Sequence, residues 1–242
     1  MHNTVTIRKL EWLSDFFGLN CGEVVSPSKS MTIDEKDLRY YHFLQGKCLD
    51  RDKPSKCWFE KNDFYFEDSR LTFEKKIEKV PDTAFEDIRI LTATETESHA
   101  IETLAKNVMA EHSRFINLVG EEKTREFYAT WIKNAIMSDF DHICFYTSIR
   151  KDHITGFITL RFVENRKAII GLLGVERAFW GRGVAKKLLQ YSENYLLQKG
   201  FNTLEVATEG RNGRAIQFYN NYGFHLVNTE YWYYKILKER MS

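Results

Sequence analysis

The chain has 242 residues, and its 35 Lys and Arg residues almost balance its 34 Asp and Glu residues, giving a formal net charge of +1. Hydrophobic residues make up 43% of the sequence and aromatic residues 14%, while Pro occurs only 3 times, which excludes a disordered, fibrous or low-complexity chain. The balanced charge argues against a nucleic-acid partner, because such proteins carry a basic face, and it means that any anion site must be local.

Membrane, export and metal signals are absent from the sequence. No segment reaches the roughly 18 apolar residues of a membrane-spanning helix, and the N-terminal segment lacks the pattern of a secretion signal. The four cysteines form no CxxC pair and have no histidine at zinc-ligand spacing, namely Cys21, Cys48, Cys57 and Cys144. We therefore expect a reduced, cytoplasmic protein with no membrane partner and no metal.

Residues 1–84 are predicted to form a smaller N-terminal α/β domain. Short apolar runs predict four strands, namely Thr4–Leu10, Glu23–Val25, Phe64–Phe66 and Leu71–Phe73. One helix is predicted at Asp34–Gln45, and a charged stretch follows at Cys48–Lys61. Pro81-Asp82, after a further charged stretch, marks the expected domain boundary.

Residues 85–242 show a clearer order of elements, β-α-α-β-β-β-α-β-α-β, which predicts a mixed α/β domain. A capping-box pattern at Thr94–Glu97 precedes the first helix. Polar turns join the three central strands, which predicts an antiparallel meander. The strands are Asp87–Leu91, His142–Ile149, Gly156–Val163, Ala168–Val175, Thr203–Thr208 and His225–Ile236. The helices are Ala100–Met109, Glu121–Met137, one that follows Gly183 and runs to Lys199, and Asn212–Tyr222.

The strongest local signal is the turn Trp180–Gly183, which joins a strand to a helix. Free amide N–H groups at such a helix start bind pyrophosphate, and glycine lets the backbone approach the ligand. Arg182, Lys186 and Lys187 add local positive charge. By itself a Gly-x-Gly turn is also common as a plain connection, and the further residues of a dinucleotide-binding or P-loop motif are missing.

Two motifs in this region carry a resemblance to a known family. The run Gly183-Val184-Ala185 is similar to the second half of the pyrophosphate motif of the GNAT superfamily of acetyl-CoA-dependent N-acetyltransferases, although Trp180 stands where that motif has Gln or Arg. The family also places Asn, Ala, Tyr and Gly-Phe around its next-to-last helix, as found at Asn212, Ala215, Tyr219 and Gly223-Phe224. The resemblance implies a mixed, mostly antiparallel sheet flanked by helices.

Further segments resemble GNAT enzymes that acetylate nucleotide-linked amino sugars for surface polysaccharide biosynthesis. These segments are LEWLSDFFGLNCGEVV, EHSRF, REFYATWIKNAI and TEYWYY. The resemblance spans nearly the whole chain except about residues 26–62, and it implies a homodimer acting on a dTDP-linked 4-amino-4,6-dideoxyhexose. Residues 1–84 would then select the sugar nucleotide. The choices between dTDP and UDP, and between galacto and gluco sugars, stay open.

The resemblance also assigns the residues that would bind acetyl-CoA. The strand before the turn Trp180–Gly183 would splay from the next strand, so that amides of Leu173 and Val175 could bond the pantetheine arm and the acetyl oxygen. Tyr219, two helical turns after Asn212 on the same face, is the expected general acid toward the leaving thiolate. The cofactor-binding set is Leu173, Gly174, Val175, Arg182, Gly183, Val184, Ala185, Lys186, Asn212 and Tyr219.

A sugar amine is largely protonated at neutral pH, so a base must also be within reach. By the resemblance Asp68 is the expected catalytic base, while Glu67, a substrate-side residue, should face the opposite side of its strand. His112 is a rival base, for which a polar contact is the simpler expectation. Arg114 can contact a diphosphate through two hydrogen bonds and Phe115 can stack on a nucleotide base, so both are expected to bind the substrate.

Two other functions remain open from the sequence. A GNAT enzyme could act on a different small amine, such as an amino acid, a polyamine or an antibiotic. A module of this fold could also bind acyl-CoA without catalysing a reaction. Turnover with different amines distinguishes an enzyme for another small amine from an enzyme for an amino sugar. A non-catalytic module would show no turnover, and a Tyr219→Phe variant would cause no loss of rate in it.

Overall fold

A computed structural model describes residues 4–78, 89–150 and 153–237. The chain forms two compact units, which are described separately below. The first comprises Met1–Leu71, Glu209–Arg211 and Asn228–Ser242, and the second comprises Thr72–Thr208 and Asn212–Val227. The domain boundary predicted after residue 84 lies outside the described residues and stays a prediction. Over the described ranges, no helix is long and apolar enough to span a membrane.

The first unit is built on a small sheet with three helices. Its strands are β1 (Thr6–Lys9), β2 (Cys21–Val25), β3 (Phe43–Leu49) and parts of β4 (Tyr65–Lys76) and β10 (His225–Ile236). Its helices are α1 (Glu11–Phe17), α2 (Glu35–Tyr40) and α3 (Lys53–Lys61). β2 pairs with β1 antiparallel and with β3 parallel, and β3 pairs antiparallel with β10. The last strand of the chain therefore completes the sheet of its N-terminal region.

Aromatic side chains form the core of this first unit. Trp58 and Phe59 on α3 are almost fully buried, and the Phe59 ring stacks on Tyr233 of β10 with 4.9 Å between centroids. Gly46 on β3 leaves room for this packing, because a Cβ there would overlap the Phe59 ring. The close approach of the α3 ring to the β3 backbone thus depends on glycine at this position.

Several predicted elements of this unit differ from the structure. The helix predicted at Asp34–Gln45 is wrong in its second half, because α2 ends at Tyr40 and β3 begins at Phe43. β3 lies between two strands and most of its residues are buried, so its apolar run lacks the alternation that marks an exposed strand. The strands predicted at Phe64–Phe66 and Leu71–Phe73 are one strand, β4, and Cys48–Lys61 contains α3.

The second unit contains a mixed, mostly antiparallel sheet flanked by helices, as expected. Its strands are β5 (Arg89–Thr92), β6 (Ile143–Arg150), β7 (His153–Val163), β8 (Lys167–Val175) and β9 (Thr203–Glu209). Its helices are α4 (Glu95–Val108), α5 (Ile116–Val119), α6 (Glu121–Ile136), α7 (Val184–Gln198) and α8 (Gly213–Asn221). β5 to β8 pair antiparallel in chain order, and β9 joins β8 in parallel.

Local signals fix the helix starts in this unit. The capping box is present, since the Thr94 side chain accepts from the first turn of α4 and the Glu97 carboxylate accepts the Thr94 N–H at 3.0 Å. Buried residues of α4 and α6, including Ile101 and Ile132, then pack against buried residues of β6, β7 and β8, including Phe157. The strand predicted at Asp87–Leu91 is observed from Arg89, its first residues lying outside the described part.

Two irregularities shape the C-terminal half of β8. Its parallel pairing with β9 ends at Ile170 and Val206, so the segment after Ile170 has no partner in β9. The register with β7 also shifts there, because Ile158 pairs with Leu173 whereas Leu160 pairs with Ile170. The divergence of the two strands that the family resemblance implies is therefore present.

Candidate active site

The turn between β8 and α7 presents free amides. Gly181 and Gly183 have φ values of 75° and 79°, in the left-handed region that favours glycine. Gly183 is the N-cap of α7 and offers no side chain, and its carbonyl accepts the N–H of Lys187 at 2.9 Å. The amides of the first helical turn are therefore left for an external acceptor, at the positive end of the helix dipole.

A cavity of about 430 Å³ lies against this turn, in the second unit. It brings together most of the residues that the sequence assigned to the cofactor, namely Leu173, Gly174, Val175, Gly183, Val184, Ala185, Lys186, Asn212 and Tyr219. Arg182 does not line the cavity, and its guanidinium lies 5.3 Å from the centroid of the Phe179 ring. A helix start, a strand segment that is paired on one edge only and a buried phenol thus share one cavity.

Tyr219 on α8 is 6% exposed and lines this cavity. Phe73, Phe218 and Phe224 surround its ring at centroid distances between 5.4 and 6.2 Å. Burial raises the pKa of its hydroxyl above the ordinary value, so the phenol stays protonated at neutral pH. Among the described residues its hydroxyl has no hydrogen-bond partner, which leaves it able to donate to a bound molecule.

Asn212 begins α8 as its N-cap. Its side-chain oxygen accepts the N–H of Ala215 at 3.1 Å, so a structural role explains this residue type at the helix start. Asn212 also lines the cavity. The same residue can therefore fix the helix that carries Tyr219 and contribute polar surface to the cavity.

An ionic cluster joins α7 and α8, the two helices that contribute to the cavity. Glu193 on α7 is fully buried, and it accepts a hydrogen bond from the Tyr222 hydroxyl at 2.9 Å. Lys75 on β4 forms an ion pair with the same carboxylate. A buried carboxylate with two partners holds its neighbours in one arrangement, because losing Lys75 would leave its charge unpaired and losing the Tyr222 hydroxyl would remove a hydrogen bond.

An aromatic and cationic pair at the cavity was not recognised in the sequence. The indole of Trp180 donates to the Val175 carbonyl at 2.9 Å, and the Arg214 guanidinium lies 3.5 Å from the centroid of the Trp180 ring. Both residues line the cavity. The available signals were a tryptophan at an unusual motif position and an arginine two residues after Asn212, but neither indicates the stacking.

The segment that follows α4 forms another wall of the cavity through Val108, Glu111 and His112. Glu111 pairs with Arg177 at 2.6 Å. No hydrogen bond of the His112 ring is found within the described part of the chain. The imidazole therefore stands at the cavity with its nitrogen atoms available to a ligand.

Arg114 and Phe115 have different surroundings from those expected. Phe115 is only 5% exposed, and its ring packs 4.9 Å from that of Phe127 on α6. The Arg114 guanidinium lies 4.1 Å from the centroid of the Phe115 ring. A stacking platform for a nucleotide must be open, so the geometry gives Phe115 a role in the core and does not support the predicted stacking.

Asp68 and Glu67 lie in the first unit, where both contact Arg211. The Arg211 Nε donates to the Asp68 carboxylate at 2.6 Å, and another of its nitrogens donates to the Glu67 carboxylate at 2.8 Å. Asp68 also accepts the N–H of Ser69 at 2.7 Å. Although neighbouring strand residues point to opposite faces, the long Arg211 side chain reaches both carboxylates. The assignment of Asp68 as the base and of Glu67 as a substrate-side residue stays a prediction.

Comparison with known proteins identifies the class. Residues 106–224 match the Acetyltransferase (GNAT) family, so the chain carries an acetyltransferase domain of that family. Every residue named above as lining the cavity falls within this range. The resemblance that the sequence motifs carried is thereby confirmed.

A curated relative and two solved structures extend the comparison. The dTDP-fucosamine acetyltransferase of Escherichia coli O6:H1 is 27% identical over 230 residues, covering 95% of this chain and 98% of that protein. A GCN5-related N-acetyltransferase from Sphaerobacter thermophilus has a TM-score of 0.63 at 17% identity over 82% of this chain, which spans 61% of that one. A functionally unknown protein from Staphylococcus epidermidis has a TM-score of 0.64 at 12% identity, covering 90% and 84% of the two chains. These structures share the fold.

Proposed function

We propose that this protein transfers the acetyl group of acetyl-CoA to the 4-amino group of a nucleotide-linked 4-amino-4,6-dideoxyhexose, with dTDP as the carrier. The observation that carries the proposal is similarity to the dTDP-fucosamine acetyltransferase along 95% of the chain. Within residues 106–224 a shared GNAT domain alone would account for this similarity, but the similarity also extends beyond that range. Accordingly we expect residues 1–84 to select the sugar nucleotide.

The cavity supports acetyl-CoA as the acyl donor. Backbone amides at the start of α7 can donate hydrogen bonds to a pyrophosphate, and Lys186, which also lines the cavity, adds a positive charge. Beyond Ile170, β8 is paired on one edge only, and the backbone N–H groups of Leu173 and Val175 point in the same direction because they are two residues apart. Such an edge can bond an extended pantetheine arm and orient the thioester carbonyl.

Tyr219 is the proposed general acid. The amine nitrogen attacks the thioester carbonyl, the carbon–sulfur bond breaks, and the phenol gives its proton to the departing sulfur. A phenol whose pKa is raised by burial carries its proton at neutral pH, so the proton is present when the sulfur leaves.

The proton lost by the amine needs an acceptor, and Asp68 remains the proposed base. Its carboxylate forms an ion pair with Arg211 at 2.6 Å, and a carboxylate is a group that can take a proton from the amine. Glu67 shares that arginine and is the proposed substrate-side neighbour. His112 is the alternative base, favoured by its position in the same cavity as Tyr219. Arg114 is retained as a proposed contact to the diphosphate.

The test is acetyl-CoA turnover by the full-length protein, followed as thiol release against a panel of amines. The panel contains dTDP- and UDP-linked 4-amino sugars of galacto and gluco configuration, an amino acid, a polyamine and an aminoglycoside. We expect the highest kcat/KM with a dTDP-linked 4-amino sugar. A preference for a simple amine contradicts the sugar assignment, and binding of acetyl-CoA without any turnover indicates an acyl-CoA-binding module. Light scattering of the same sample tests the proposed homodimer.

A further inference from the structure

A buried carboxylate and hydroxyl lie beneath the strand that lines the cavity. Asp141, just before β6, is 1% exposed, and Thr159 on β7 is fully buried. The Thr159 hydroxyl donates to the Asp141 carboxylate at 2.6 Å and accepts the N–H of Leu172 on β8 at 2.8 Å. One hydroxyl therefore connects a buried carboxylate to the backbone of β8.

This connection falls where β8 carries an extra residue. Because Ile158 pairs with Leu173 and Leu160 pairs with Ile170, two residues of β8 oppose the single residue Thr159. This arrangement is a β-bulge, which bends a strand and changes the direction of the groups that follow it. The Thr159 side chain supplies the Leu172 amide with a partner, which every buried N–H requires.

Gly171, the other residue of the bulge, lies against the carboxylate. A Cβ at this position would overlap the Asp141 side chain, so only glycine allows the carboxylate to pack under the strand. One oxygen of Asp141, Oδ1, is buried and has no partner among the described residues. Such an unsatisfied buried oxygen costs free energy and is rare in native structures, so its presence calls for an explanation.

The bulge is followed at once by the cavity. The parallel pairing of β8 with β9 stops at Ile170, and Leu173, Gly174 and Val175 line the cavity. We propose that Asp141 and Thr159 are positioning residues for acetyl transfer: through the Leu172 amide they hold the bulge that aims the next amides of β8 at the thioester carbonyl. This inference rests on the proposed function, because it needs acetyl-CoA as the ligand of the cavity.

A pair of substitutions at Thr159 tests the hydroxyl. Thr159→Val keeps the shape and removes the hydrogen bonds, while Thr159→Ser keeps the hydroxyl and is the matched control. We expect Thr159→Val to lower kcat about tenfold, a fraction of the loss when an oxyanion donor is removed, with KM for acetyl-CoA changed less than about threefold. Thr159→Ser should retain kcat within about threefold, because its hydroxyl can reach both partners.

A spectroscopic measurement separates this inference from the choice of acceptor amine. The infrared stretch of a ¹³C-labelled acetyl carbonyl in bound acetyl-CoA reports how strongly backbone donors polarise it, without any amine present. We expect a lower frequency than that of free acetyl-CoA in the unsubstituted protein and in Thr159→Ser, and a return toward the free value in Thr159→Val. Absence of turnover with every amine would contradict the proposed function while leaving this readout intact.

Clear outcomes would overturn the inference. One is a carbonyl stretching frequency in the unsubstituted protein equal to that of free acetyl-CoA. Another is an unchanged kcat and an unchanged carbonyl frequency in Thr159→Val. The third is an equal loss of kcat in the valine and serine variants. If Thr159→Val does not fold, Asp141→Leu replaces it, because leucine is of similar size and cannot accept the hydrogen bond of the Thr159 hydroxyl. That variant should also lower kcat more than it raises KM, and an unchanged kcat with an unchanged stretch contradicts the inference.

Discussion

The Tyr219 hydroxyl has no internal partner in the described part of the chain, and because burial raises its pKa the phenol carries its proton at neutral pH. Tyr219→Phe removes the proton donor and keeps the ring that packs among Phe73, Phe218 and Phe224. We expect kcat to fall about 100-fold, with acetyl-CoA affinity and thermal stability close to those of the unsubstituted protein. Thiol release measures kcat, calorimetric titration measures the affinity and a thermal melt measures the stability. A variant that keeps the full rate would show that the thiolate leaves without this acid.

Asp68 allows a sharper test because Glu67 provides a control on the same arginine. Asp68→Asn keeps the size and one of the two oxygens that accept from Arg211 and Ser69, but it cannot take the amine proton. If Asp68 is the base, activity at neutral pH should fall about 100-fold and recover as the pH rises, because solvent then deprotonates the amine. Glu67→Gln should keep the original pH profile.

A full rate and an unchanged pH profile for Asp68→Asn would move the base assignment away from this residue. His112→Asn is then the next variant, since His112 lines the cavity with Tyr219. Loss of the neutral-pH rate in that variant alone would assign the base to the imidazole.

At the scale of elements, the turn that begins α7 depends on backbone conformation. Gly183 has a φ of 79° and open space around its Cβ position, so Gly183→Ala introduces strain without a clash. A side chain in this region costs about 1–2 kcal/mol, and relaxing it would turn the amides away from the cavity. Acetyl-CoA affinity, measured by titration calorimetry, should fall about tenfold.

Gly213 provides the matched control for that prediction. It is the first residue of α8, it also has open space, and its φ lies outside the left-handed region. Gly213→Ala should therefore leave acetyl-CoA affinity unchanged and stabilise the helix slightly, because alanine is the better helix former. Equal losses in both variants would mean that added bulk, and not backbone strain, weakens binding.

Elements with local signals were predictable from the sequence. The capping box of Thr94 and Glu97, the glycine turn before α7 and the order of β6 to β8 all depend on neighbouring residues. β3 was misread because its burial comes from two strands that lie elsewhere in the sequence. Secondary structure that depends on distant pairing leaves no local pattern to detect.

The candidate site shows the same distinction between features with a local sequence signal and features that depend on distant residues. The motifs around Gly183 and Asn212 predicted most of the cavity through the family resemblance, and both residues stand at helix starts, where backbone conformation restricts the residue type. The pairing of Arg211 with Asp68 joins residues 143 positions apart, and the stacking of Arg214 on Trp180 joins two different elements. Nothing in either local sequence distinguishes these arginines from ordinary surface residues.

For the molecule as a whole, the contribution of β10 to the first unit is open to measurement. Tyr233 on β10 is 4% exposed and stacks on Phe59 of α3. Tyr233→Ala should lower the free energy of unfolding by about 3 kcal/mol, as expected for a large buried aromatic residue. Urea denaturation measures this, and Leu226→Ala, an exposed position on the same strand, should change it by less than about 0.5 kcal/mol. Similar losses in both variants would contradict the assigned packing.

The pairing of β3 with β10 also has a consequence during synthesis. β3 ends at Leu49, but its partner strand begins only at His225, so a ribosome must translate the whole second unit before the first sheet can close. Until then Trp58 and Phe59 of α3 cannot pack against β10. The nascent N-terminal region therefore exposes apolar side chains, which favours chaperone binding or aggregation. Chains stalled before β10 should therefore be recognised by quality control as unfinished, even when the acetyltransferase fold has already formed.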